Sequence, residues 1–171
     1  GTLAYSAAIE LKLSPLPAPK IMALCHFTSF YAAMDAVQYL VALDPITVEL
    51  IDQTMISLAR SIPLFKSTVD DYIRNDPEAV LVVEFAEEDW AKNLAKIDQL
   101  QAVMAQLSDA QAGKPRQIIR AEEAVVVITP PDQQARISEM RKSGLNIMMS
   151  MKSEAKPVSF VEDCAVPLQD L

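Results

Sequence analysis

Arg141 and Lys156 are the two cations best placed by their neighbours to capture a small anion. An arginine presents a planar fork that matches a carboxylate, and a lysine a movable point charge. Arg141 lies in a polar helical stretch, and Lys156 opens the short charged segment EAKPVSFVEDCAVP at 154–167. A strand there would surround the apolar Val158, Phe160 and Val161 with charge, as a strand does when its end faces a ligand. If helix and strand lie side by side, both cations reach one carboxylate. Spacing alone favours solvated cations or pairs with Glu139, Glu154 or Glu162. Glu162 and Asp163 are adjacent, so on a strand they point to opposite faces and cannot act as a carboxylate pair on one substrate.

Other chemistry is sparse. His26 is the single histidine, at the end of an apolar run, where a packed and hydrogen-bonded ring is the expected state. With Cys25 and Cys164 as the only cysteines, no tetrahedral zinc set is expected within the chain. No GxSxG, P-loop or GxGxxG occurs, and the residues by themselves single out no catalytic base. The methionines of NIMMSMK at 146–152 suit a core as well as an adaptable pocket wall.

Bulk properties narrow the class. The 171 residues fit one domain with a sizeable core, and 51% of them are hydrophobic. No apolar run approaches the roughly 20 residues that span a bilayer. A formal charge of −8 argues against a phosphate-backbone binder, and the basic spot at 114–116 is too short to change that. Two thiols without CxxC spacing suggest a reducing, cytoplasmic setting. The chain opens without methionine in strand-like sequence and closes on VPLQDL, which reads as a piece of a longer protein.

Elements must hold Arg141 and Lys156 in place. Residues 3–13 alternate as a strand with Ile9, Leu11 and Leu13 on one face, and the prolines of SPLPAPK then make a linker. A strand at 20–27 leads into a helix capped by Thr28 or Ser29, with Phe30, Met34, Val37 and Val41 as its apolar stripe. A strand at 46–51, a helix capped by Asp52 and broken at Pro63, and a short helix over 66–73 follow. AVLVVEF at 79–85 starts a second unit, whose helix carries Trp90, Leu94, Ile97, Val103 or Met104, and Leu107, and whose partner strand is EEAVVVIT at 122–129. Two βαβ units split by a helical insertion predict an α+β fold: a ferredoxin-like sandwich, antiparallel sheet with helices on one face. Thr129 and two prolines start a last helix, running to about Gly144 or through 145–152.

Two stretches resemble a known family. Gly1, Thr2, Leu3, Leu11, Lys12, Leu13, Pro15, Leu16 and Pro17 resemble the GTLG turn, TLKL strand and proline exit that end the flavin domain of FAD-linked oxidases. FVEDCAVPLQDL, preceded by MRKSGLNIMMSMKSEAKP, is similar to the core of that family's substrate (cap) domain. The members it looks most like are FAD-dependent D-2-hydroxyacid dehydrogenases: D-lactate dehydrogenases, the glycolate oxidase flavin subunit and D-2-hydroxyglutarate dehydrogenases, especially forms fused to an iron–sulfur domain.

The resemblance implies oxidation of a D-2-hydroxy acid to a 2-oxo acid, with this chain as part of the lid over the flavin. It implies that residues 1–17 are the end of the FAD-binding domain and 18–171 the substrate domain. It matches Arg141 and Lys156 to substrate-binding positions, and places Gly1, Thr2 and Ser6 beside FAD. The FAD itself, an iron–sulfur cluster and a divalent metal would belong to the rest of the parent, so the isolated piece is expected to be inactive. Partners are then the small hydroxy acid and the parent's own FAD-binding domain; a homo-oligomer is compatible with the sequence. The competing reading is a non-catalytic ferredoxin-like module that binds a small ligand or pairs subunits.

Overall fold

The computed structural model describes residues 5–13, 16, 18–109, 123–149 and 166. Its element order is β1 (Ile21–Phe27), α1 (Phe30–Val41), β2 (Thr47–Asp52), α2 (Gln53–Ser61), α3 (Pro63–Tyr72), β3 (Ala79–Phe85), α4 (Trp90–Asp109), β4 (Val125–Ile128), α5 (Pro131–Lys142) and α6 (Gly144–Met149). The four strands form one sheet in the order β2-β3-β1-β4, antiparallel at every pairing. This is the α+β, ferredoxin-like arrangement expected from the two βαβ units.

Central strand β1 is buried along its whole length, as is β3 beside it. Both read as continuous apolar runs because both faces of the sheet are covered. On one face Ile21, Ala23, Cys25 and Phe27 pack with Ala32, Ala33, Ala36 and Leu40 of α1 and with Ile97, Leu100 and Met104 of α4. On the other, Met22, Leu24, Val80 and Val82 meet Ile56, Val69, Ile137 and Met140, from α2, α3 and α5. Helices were expected on one face only. The insertion and the last helices instead build a second layer, which a sheet apolar on both sides requires.

Local signals account for most element ends. Ser29 caps α1 by accepting from Ala32 N–H at 3.1 Å, and Asp52 caps α2 by accepting from Met55 N–H at 2.8 Å. Pro63 does break α2, but it also occupies the first turn of α3, where its missing N–H costs nothing. Helix α5 starts differently from expectation: Pro130, not Thr129, is the capping residue, and no side chain caps it.

Residues 5–13 are not the expected strand. They carry no regular structure, and Ile9, Leu11 and Leu13 are exposed. A strand must pair its backbone groups, and residues 5–13 take no part in the described sheet. The segment 154–167, except exposed Val166, lies outside the described residues, as do Lys114 and Arg116.

Candidate functional site

Alternation along the strands decides which side chains share the second face. Thr47 and Glu49 of β2 lie on the same side as Val82 and Glu84 of β3, because Thr47 is paired with Glu84 and Glu49 with Val82. Met22 of β1 is opposite Glu84. Helix α5 crosses this end of the sheet and turns Ile137, Ser138, Arg141 and Lys142 toward it. The space enclosed is a cavity of about 170 Å³ lined by residues of both the sheet and α5, with Lys20 at its rim.

Two ion pairs define the cavity. Lys20 Nζ meets Glu84 Oε1 at 2.6 Å, and Arg141 Nη1 contacts Glu49 Oε2. Glu84 is buried, and the lysine supplies its counter-charge. Glu49 Oε2 is closed to solvent and makes no hydrogen bond of good geometry, which leaves the Arg141 guanidinium as its compensating charge. Lys142, exposed at the same rim, joins Lys20 and Arg141 to give three cations against two carboxylates. One positive charge is left over, the requirement for holding a single carboxylate.

A larger cleft of about 550 Å³ adjoins the cavity through shared Lys20, Ser138 and Lys142. Trp90, Pro19, Pro131 and Ala135 make it largely apolar.

Two buried amides fix the chain where it passes between these spaces. Asn93 Nδ2 donates to Pro19 O at 3.2 Å, while its Oδ1 accepts from Glu87 N–H at 2.9 Å. Gln134 Nε2 donates to Lys20 O at 2.9 Å and to Ile128 O at 3.0 Å. Sequence reading passed over both, since a lone Asn or Gln in a helix reads as a solvent-facing residue. The available signal was their place one turn into α4 and α5, where a buried amide can catch strand-end carbonyls.

Of the residues expected to bind substrate, Arg141 lines the cavity, and Lys156 lies outside the described residues. Of those expected beside FAD, Ser6 is exposed in an irregular segment, and Gly1 and Thr2 lie outside the described residues. Among the described residues no glycine turn stands ready for a pyrophosphate. Gly144 is the one glycine among them, and a Cβ there would meet Met55 at 3.3 Å, so it serves helix packing rather than a phosphate turn. The charged cavity is also smaller than the roughly 300 Å³ at which cofactor pockets begin.

His26 is excluded as a base by its surroundings. Its Nδ1 faces Ala124 O at 3.3 Å and its Nε2 accepts from Arg74 N–H at 3.2 Å, so both ring nitrogens are engaged by backbone. Burial, the largest influence, holds its pKa down to about 4. Burial likewise pushes the Cys25 thiol up to about 12, leaving it unreactive. Among the described residues no three His, Cys, Asp or Glu side chains converge as a metal site, and no helix is long and apolar enough to cross a membrane.

Residues 16–171 match the profile of a family described as FAD linked oxidases, C-terminal domain. Across its whole length the chain is 30% identical to a D-2-hydroxyglutarate dehydrogenase of Pseudomonas putida. It is 30% identical to the protein of that name from Pantoea ananatis and 29% to that from Escherichia coli. Each alignment covers 100% of this chain but 16% of the relative, so the chain spans a small part of the length of the curated relatives it matches.

Proposed function

Because the chain belongs to the FAD-linked oxidase family, as its C-terminal domain, we propose that it is the substrate-facing part of an FAD-dependent dehydrogenase that oxidises a D-2-hydroxy acid to the 2-oxo acid. The family match over residues 16–171 carries this reading, and the cation-rich cavity under α5 supports it.

In that reaction the substrate gives up its C2 hydrogen with two electrons and its hydroxyl proton; a bound flavin supplies the electron-accepting chemistry. This chain contributes binding and orientation. Arg141 holds the carboxylate with the N–H groups that Glu49 leaves free, and Lys20 and Lys142 keep the surrounding potential positive. Lys156 is proposed as a second contact, and Gly1, Thr2 and Ser6 as neighbours of the flavin. Residues 1–17 would then be the tail of the FAD-binding domain and 18–171 the lid. A carboxylate held at a fixed angle presents one face of C2, which is how a binding domain sets stereochemistry.

The test is turnover by the full-length protein. It is expected to be yellow and to reduce a dye with D-2-hydroxyglutarate, D-lactate or glycolate, and not with the L-enantiomer of a chiral substrate. A full-length protein loaded with flavin that reduces no dye with any 2-hydroxy acid would overturn the reading.

A further inference from the structure

We infer that Glu49 is the positioning residue for Arg141: it grips one edge of the guanidinium so that the other edge faces the cavity. The inference rests on the reading of Arg141 as the carboxylate holder. Three observations carry it. First, Glu49 Oε2 is closed to solvent and lacks a well-formed hydrogen bond, so the carboxylate depends on the arginine as its counter-charge. Both side chains are half-buried, and the closed Oε2 has the guanidinium as its counter-charge, which favours keeping the contact when a ligand arrives.

Second, the strand and helix hold the two residues from opposite walls. Glu49 is fixed by the pairing of β2 with β3, where its partner is Val82, and Arg141 is one turn along from Ile137, itself buried against the sheet. Neither backbone can follow the other's side chain. Third, Glu49 Oε2 meets the guanidinium at Nη1. An arginine has five N–H donors in a rigid plane, so a partner at one nitrogen restricts the guanidinium and leaves donors for a second carboxylate. Lys20 is handled in the same way by Glu84, at 2.6 Å, so each of these cavity cations carries its own carboxylate from the sheet.

The experiment is a double-mutant cycle in the full-length, flavin-loaded protein, with D-2-hydroxyglutarate as the substrate and a dye as acceptor. Glu49→Gln is expected to raise KM roughly tenfold with a smaller effect on kcat, because the guanidinium loses the charge that orients it. Glu49→Asp is expected to recover most of that loss. Arg141→Lys costs more, and the double variant Glu49→Gln/Arg141→Lys should be no worse than Arg141→Lys alone, since Glu49 acts only through Arg141. A melting curve of each variant reports any purely structural role. If Glu49→Gln does not fold, the cycle is run with Glu49→Thr, a neutral residue that suits a strand.

Losses that multiply in the double variant would overturn the inference, as would a KM that falls when Glu49 is neutralised, which would make it a competitor of the substrate. Should Arg141→Lys leave KM unchanged, the reading of Arg141 itself falls. A Glu49 effect that multiplies while Arg141→Lys still raises KM removes the positioning role alone.

Discussion

Gln134 Nε2 donates to the main-chain carbonyl of Lys20 at 2.9 Å, stitching helix α5 to the residue just ahead of β1. The same amide reaches Ile128 O and Thr129 O at the end of β4, so a single side chain binds two neighbouring strand ends to the helix that carries Arg141. The cavity owes its shape to this strut.

Removing the strut should be costly. Gln134→Leu leaves buried carbonyls without their donor, and unfolding in urea is expected to show a loss of about 2 kcal/mol. Gln134→Glu, which replaces the donor by an acceptor facing three carbonyls, should be worse. Equal stability of all three proteins would show that other donors serve these carbonyls.

Arg141→Lys keeps the charge and loses the fork. In the full-length protein kcat/KM for the hydroxy acid is expected to fall by about 2–3 kcal/mol of transition-state stabilisation, on the order of a hundredfold. Steady-state rates at varied substrate would show it, and an unchanged kcat/KM would remove Arg141 from the site.

His26 makes stability depend on pH. Its folded pKa of about 4 lies below the ordinary 6.5, so the native ring is neutral while the unfolded ring takes up a proton. Its contribution is fully present above about pH 6.5 and is lost as pH falls from there to about 4, an effect of about 3 kcal/mol. Urea midpoints between pH 7 and pH 4 should fall more steeply for the wild type than for His26→Gln, which does not titrate. Parallel slopes would mean that the ring is accessible to protons in the native state.

Cys25 offers a reporter of global opening. Its thiol is fully buried in β1 and held at a pKa of about 12. Iodoacetamide at pH 8 should leave Cys25 unmodified in the native protein and label it at the rate of unfolding once urea is added, as read by peptide mass. Prompt native labelling would contradict the packing of this strand.

Much of the fold was legible because the strands are continuous apolar runs and the turns carry caps. Residues 79–85 were read with the bounds they have, and Asp52 caps α2 as expected. The helix faces were harder. Helix α1 was expected to bury Phe30, Met34, Val37 and Val41, yet Ala32, Ala33, Ala36 and Leu40 face the sheet, while Phe30 and Val41 are exposed. The sheet beneath already supplies bulk in Phe27, Leu81 and Phe85, so small side chains let the helix lie close. Helix α4 follows its expected stripe for most of its length: Ile97 and Met104 are buried with Leu100, and Val103 and Leu107 pack beside them, while Trp90 and Leu94 turn outward.

Arg141 was a candidate by its chemistry and by resemblance, while its spacing alone favoured solvent or an ion pair. The structure supplies both, a cavity position and a carboxylate partner. Glu49 could not have been picked out as that partner. Its alternation within TVELID says only that it shares a face with Thr47 and Ile51. That this face lies under α5 depends on the pairing of β2 with β3 and on the helix crossing there, contacts between residues far apart in sequence.

Strand β1 is the earliest element of the sheet in the chain, and it sits in the middle. Its neighbours are β3, where Ile21 meets Phe85, and β4, where Met22 meets Ile128. During synthesis β1 therefore leaves the ribosome about a hundred residues ahead of its last neighbour, a separation that makes assembly slow. Until Val125 and its followers emerge, a bare apolar ribbon is open to any passing chain, and a polypeptide halted short of that point would be prone to clump rather than to fold.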